Sequence, residues 1–180
     1  MKRLFLSAAL LLLAMTVAAQ GPPAVSNSKI LAPQSIIVAT VNGLNCSTSA
    51  GTNTFPVQAW SWGASNTADT SSGGGGGTGK ATVHDLTVQK KFDGCSPALF
   101  GAVVSGKHFN GMTLTQEDSN HNIVLTLTLT DVLVTSWNIG GAQSSELPVE
   151  SVSFAFRKVC IQEPSTSSKF CYDLSTAGSF

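Results

Sequence analysis

The chain has 180 residues, enough for one domain and short for two. Ten basic residues balance ten acidic ones, and only 11% of residues are charged. That balance argues against a nucleic-acid or anionic-membrane partner, which needs a concentrated basic face. Ser, Thr and Gly fill the surface instead, as suits an exported β-protein or one that buries its outside against copies of itself.

The chain opens with Lys2 and Arg3, an apolar run from Leu4 to Val17, and the small residues Ala18 and Ala19. A basic start, a short apolar core and a small-residue exit describe a secretory signal peptide, residues 1–19, cleaved after Ala19. The run is short for a membrane span, and an uncleaved anchor is the alternative reading. Cleavage removes two basic and no acidic residues, leaving 8 and 10. A secreted or periplasmic location follows, with no membrane contact after cleavage. Residues 20–33 read as a flexible leader with little to bury.

Residues 34–180 carry the folded domain. Ile36 to Val41 reads as a short strand, followed by a polar loop to Thr54. "FPVQAWSWG" (55–63) is a strand with Trp60 and Trp62 on one face and Val57 and Ala59 on the other. Residues 64–80 form a Gly/Ser-rich loop, and "ATVHDLTVQKK" resumes a strand. Next comes a helix with Ser96 as N-cap, Pro97 as first helical residue and Gly106 as closing residue. Leu99, Phe100, Val103 and Val104 form its apolar face.

Strands return in "MTLTQED", which turns through Ser119–Asn122 into "NIVLTLTLTDVLVTSW". Ile123, Leu125, Leu127 and Leu129 share one face and Thr126, Thr128 and Thr130 the other. Asp131 falls in register with the leucines, so the strand is expected to bend there. In "VESVSFAFRKVC", Val152, Phe154 and Phe156 share a face. The expected architecture is mainly β: antiparallel strands in a sandwich or barrel with a single helix.

Cys46, Cys95, Cys160 and Cys171 make an even count on an exported chain, which favours disulfides. Three pairings are open. Cys160 with Cys171 is the most attractive, because their flanking segments form a hairpin around the turn-rich "PSTSS"; Cys46 with Cys95 is then left. Free buried thiols are the alternative.

Sites for chemistry are harder to find. "SSGGGGGTGKA" (71–81) has the glycine and lysine spacing of a phosphate loop, but Ala81 follows Lys80 and a strand follows that. A phosphate loop needs a Ser or Thr there and a helix behind it. His84, His108 and His121 lack the short spacings of a zinc site. No G-x-S-x-G elbow occurs. Cys95 before the helix start could serve as a nucleophile, but a bridge fits the export signal better. "NCS" (45–47) matches a glycosylation sequon on one tripeptide. No metal, cofactor or catalytic residue is expected.

"VQAWSWGASN" (57–66), "GTGKATVHDLTVQKKFDGCSPALFGAVVSGKHFNGMTLT" (77–115), "LTLTDVLVTSWNIGG" (127–141) and "PVESVSFAFRKV" (148–159) occur in this order, followed by "KFCYDLSTAG" (169–178). Together they resemble the Hcp family, the tube proteins of type VI secretion systems, over roughly residues 34–178. The resemblance implies two antiparallel sheets closed into a barrel with the helix on its side. It implies a homo-oligomer, a hexameric ring that stacks into a tube, with spike, sheath or effector proteins as partners and no catalytic residue. It places the loop containing Gly73, Gly74, Gly75, Gly76 and Gly77 at contacts between stacked rings. Some members carry C-terminal toxin domains; too little chain follows Val159 here for one. The signal peptide departs from the family pattern. It opens an alternative, an exported relative serving as a periplasmic or extracellular structural or binding module.

Overall fold

The computed structural model of the protein describes residues 34–68 and 78–180. The signal peptide (1–19), the leader (20–33) and Gly73–Gly77 lie outside the described residues. In chain order the strands are β1 (Ile36–Val41), β2 (Ser47–Thr48), β3 (Gly51–Thr52), β4 (Thr54–Pro56), β5 (Ala59–Ser61), β6 (Ala64–Ala68), β7 (Thr78–Val83) and β8 (Leu86–Lys91). Helix α1 (Ser96–Ser105) follows, then β9 (His108–Glu117), β10 (Ile123–Gly140), β11 (Val149–Glu163), β12 (Ser168–Asp173) and β13 (Gly178–Ser179).

One antiparallel sheet runs β13-β12-β11-β10-β9-β1-β4, and β8 branches from the first half of β11 to pair with β5. Among the described residues the strand pairing does not close into a barrel; the sheet folds over itself as a sandwich around one core. The opening lies where the sequence suggested a single strand over 55–63. Val57 and Gln58 break it, because their N–H groups donate to different layers, to the carbonyls of Ile37 (2.9 Å) and Gln89 (2.7 Å). The Trp60 indole, 3.0 Å from Gln116 Oε1, ties β5 to β9 across the same seam.

The core draws on nearly every strand. Phe55, Leu86, Val88, Leu114, Leu127 and Phe154 are fully buried. In β10 the leucine face narrows to Leu127 and Leu129; Ile123 is exposed, and the ladder to β9 shifts register between Ile123 and Leu125. After Asp131, whose φ is 55°, the buried set changes from odd to even numbers, Val132 and Val134. The neighbours change in step, from Met112 to Phe109 in β9 and from Val159 to Phe156 in β11. Asp tolerates the left-handed conformation better than a branched residue.

Other expectations need correction. The Gly/Ser-rich stretch is not loop throughout: β6 and β7, at its ends, pair as an antiparallel hairpin. The strand expected over 81–91 is interrupted at His84 and Asp85, where the chain leaves the hairpin and joins the main sheet as β8. Ser96 is not the N-cap. Cys95 holds that position with no side-chain cap, and Pro97 sits in the first turn. The helix buries Ser96, Leu99 and Ala102, whereas Phe100 and Val104 face solvent. Gly106 does close the helix, at φ 63°, in the left-handed conformation glycine favours.

Candidate assembly surfaces and the corner that orients the helix

The β8–α1 corner begins with a sequence feature read only as part of a strand. Lys90 continues the inward parity of Leu86 and Val88 and is fully buried. Its cross-strand partner on β11 is Glu150, also fully buried. Lys90 Nζ donates to Glu150 Oε2 (2.9 Å), Ser96 Oγ (3.0 Å) and the Lys91 carbonyl (2.9 Å), and lies 2.9 Å from Asp93 Oδ1. The Phe55 ring centroid is 5.5 Å away. A buried charge persists only when paired and hydrogen-bonded, and this ammonium is both.

The same groups start the helix. Ser96 Oγ accepts the Asp93 N–H at 2.9 Å, and Asp93 Oδ1 accepts the Cys95 N–H at 2.8 Å. The hydroxyl expected to cap the helix therefore orients the corner. Two disulfides are present, Cys46–Cys95 and Cys160–Cys171. The first ties the β2–β3 hairpin to the corner. The second joins residues that face each other across β11 and β12.

Among the described residues, exposed apolar side chains include two groups, one beside the helix and one at the core edge. On the helix side, Phe100 and Val104 are 49% and 67% exposed, and the Phe100 ring lies 5.1 Å from that of Trp137. At the edge of the core, a cleft of about 240 Å³ opens between the β6–β7 and β11–β12 hairpins. Its walls include Trp62, Ala64, Val83, Val159, Ile161 and Phe170, with no charged residue among its lining groups. Phe170 is 58% exposed there.

The three histidines do not converge. His108 pairs with Asp131, His121 with Glu117, and His84 is exposed on the turn between β7 and β8. Among the described residues no group of three His, Cys, Asp or Glu side chains is placed to hold a metal. Lys80 and Ala81 belong to β7, a strand and not a helix start, so the phosphate-loop geometry is absent there.

Acid-sensitive groups gather around β12. Hydrogen bonding from Ser175 and then the Lys158 ammonium hold the Asp173 carboxyl well below its ordinary 3.8. Lys158 Nζ is 3.0 Å from Asp173 Oδ2. Hydrogen bonds from Ser165 and Thr166 lower Glu163 from 4.5 to about 2. Both folded values lie below the unfolded ones, so the stabilisation is complete above the unfolded values and is lost as pH falls through the folded ones. Unfolding free energy measured by urea titration should therefore hold nearly level from pH 7 to about pH 5 and decline below that. In Asp173→Asn the decline should be shallower; an unchanged slope would remove Asp173 as a cause.

The family model described as "Type VI secretion system effector, Hcp" matches residues 36–162, well over half of the chain. The chain belongs to the Hcp family of type VI secretion proteins. It is similar to Protein hcp1 of Pseudomonas aeruginosa, 41% identical over 83 residues, which cover 44% of this chain and 51% of that protein. The match thus spans about half the length of that curated relative.

Solved structures show the fold. One, described as a type six secretion system protein, superimposes with a TM-score of 0.72 at 24% identity, over 81% of this chain and 99% of the other. Hcp1 from Salmonella typhimurium gives a TM-score of 0.68 at 24% identity, with the same shares of the two chains. A type VI secretion system effector from Yersinia pestis gives 0.63 at 22% identity, over 76% and 98%.

Proposed function

We propose that the chain is a structural protein of the tube type, which assembles into hexameric rings that stack, and that its role is not enzymatic. The observation that carries this reading is the family match over residues 36–162. The exposed Phe100 and Val104 on the helix and the apolar cleft beside Phe170 support it, as surfaces suited to subunit contacts. In this reading residues 34–180 form the assembling unit, and Gly73–Gly77 lie at the contact between rings. The channel of such a tube would hold effectors, and spike and sheath proteins would meet its ends and outside.

Size-exclusion chromatography with light scattering on residues 20–180 should give the mass of a hexamer. A monomer at high protein concentration would overturn the reading. Deleting Gly73–Gly77 should weaken stacking and leave the ring intact.

A second reading is favoured by the disulfides. All four cysteines are bridged, and such bonds persist in oxidising compartments. The chain would then be an exported relative, acting in the periplasm or outside the cell apart from the injection machine. N-terminal sequencing of fractionated protein decides between them. A chain beginning at Gln20 in periplasm or medium supports export, and a cytosolic chain beginning at Met1 rules it out.

A further inference from the structure

The β2–β3 hairpin is bonded to β4, where Thr48 Oγ1 donates to the Thr54 carbonyl at 2.7 Å, but has little of its own to hold it to the β8–α1 corner. Its ladder consists of two residue pairs, Ser47↔Thr52 and Thr48↔Gly51. None of residues 47–52 is buried. Hairpins this short are marginal in water without packing against other structure. Among the described residues, no hydrogen bond joins residues 45–52 to residues 92–96. The hairpin nevertheless lies directly on the corner. A methyl group added at Gly94 would stand 2.4 Å from the Ser47 carbonyl oxygen. Thr48, Ser49, Asp93 and Gly94 line one cleft of about 430 Å³.

What fastens the hairpin to the corner is Cys46–Cys95, with Cys95 fully buried. The bond lands one residue from Ser96, whose hydroxyl accepts from the buried Lys90 ammonium. We propose that Cys46–Cys95 is a thiol-sensitive fastener: oxidised, it holds the β2–β3 hairpin shut against the Lys90–Glu150 corner, and reduced, it lets the hairpin open while the main sheet stays folded. The chemistry is a two-electron exchange with a dithiol. The S–S bond breaks, Cys46 and Cys95 become thiols, and the dithiol leaves as its own disulfide. The opening is local because β9, β10 and β11 are joined by their own long ladders, none of which includes a residue of the hairpin. The device reports the redox state of the compartment and does not depend on ring assembly.

Hydrogen exchange read by mass spectrometry tests it on Cys160→Ala/Cys171→Ala chain, in which Cys46–Cys95 is the one disulfide left. Dithiothreitol should accelerate exchange about tenfold or more in peptides covering residues 44–54. Peptides covering 109–116 and 127–134 should be unchanged. Equal exchange in 44–54 with and without dithiothreitol would overturn the fastener. Acceleration throughout the chain would also overturn it, by showing a global clamp. If that variant does not fold, the comparison is made between oxidised wild type and Cys46→Ser/Cys95→Ser, which keeps Cys160–Cys171. Failure of this second variant to fold counts as the global outcome.

Discussion

Lys90→Met is expected to lower the unfolding free energy by about 3–5 kcal/mol, because it leaves the Glu150 carboxylate buried without its partner. Glu150→Leu should cost less, because the ammonium keeps Asp93 Oδ1 at 2.9 Å and its bonds to Ser96 and the Lys91 carbonyl. The double variant Lys90→Met/Glu150→Leu should recover most of the loss, since a well-packed apolar pair often matches a buried ion pair. Urea unfolding of the four chains closes the cycle. Additive losses in the double variant would mean that the two residues do not act as a pair. The helix start should respond as well, because Ser96 and Asp93 share the ammonium with Glu150. Far-UV circular dichroism of the Lys90→Met chain should show weaker helix signal before global unfolding.

Phe55→Ala should have an effect of comparable size, about 3–5 kcal/mol. Phe55 is fully buried on β4, and its ring lies over Lys90 Nζ. Removing it opens a cavity where β1, β4 and the β8–α1 corner meet. For a domain of this size each kcal/mol moves the melting temperature by about 2–4 °C, so a fall on the order of 10 °C is expected in calorimetry. A fall of only one or two degrees would place Phe55 outside the cooperative core. Phe55→Leu should retain much of the packing while losing the ring face presented to Lys90, separating the two contributions.

Much of this fold is legible in the sequence because its strands alternate strictly. Leu127 and Leu129 against Thr128 and Thr130, and Val152, Phe154 and Phe156, announce their inner face by period two alone. Asp131 announces the bend because it interrupts the apolar series. The same logic applied to charged residues would have found the corner. Lys90 has the parity of Val88, and Glu150 that of Val152, so both side chains had to point inward.

Other features depend on tertiary choices that local pattern does not carry. The break at Val57–Gln58 arises because two layers compete for adjacent N–H groups. Nothing in the side chains of a Gly/Ser-rich stretch reveals that its ends pair as β6 and β7. On the helix, spacing identified an apolar surface but not which part of it packs inward. Leu99 and Ala102 are buried, and Phe100 and Val104 are left outside. The candidate contact surfaces were invisible for that reason: an apolar residue in a periodic element reads as core until its neighbours are known.

The pairing of β1 with β9 has a kinetic consequence. Ile36–Val41 finds its partner in Met112–Glu117, so a ribosome must release the whole intervening chain before that edge of the sheet can form. The β9–β10–β11–β12 meander, in contrast, is assembled from sequence neighbours. Contacts of high sequence separation form slowly. The amino-terminal strand is therefore expected to have only β4 as an early partner and to join β9 after the later strands have formed their sheet.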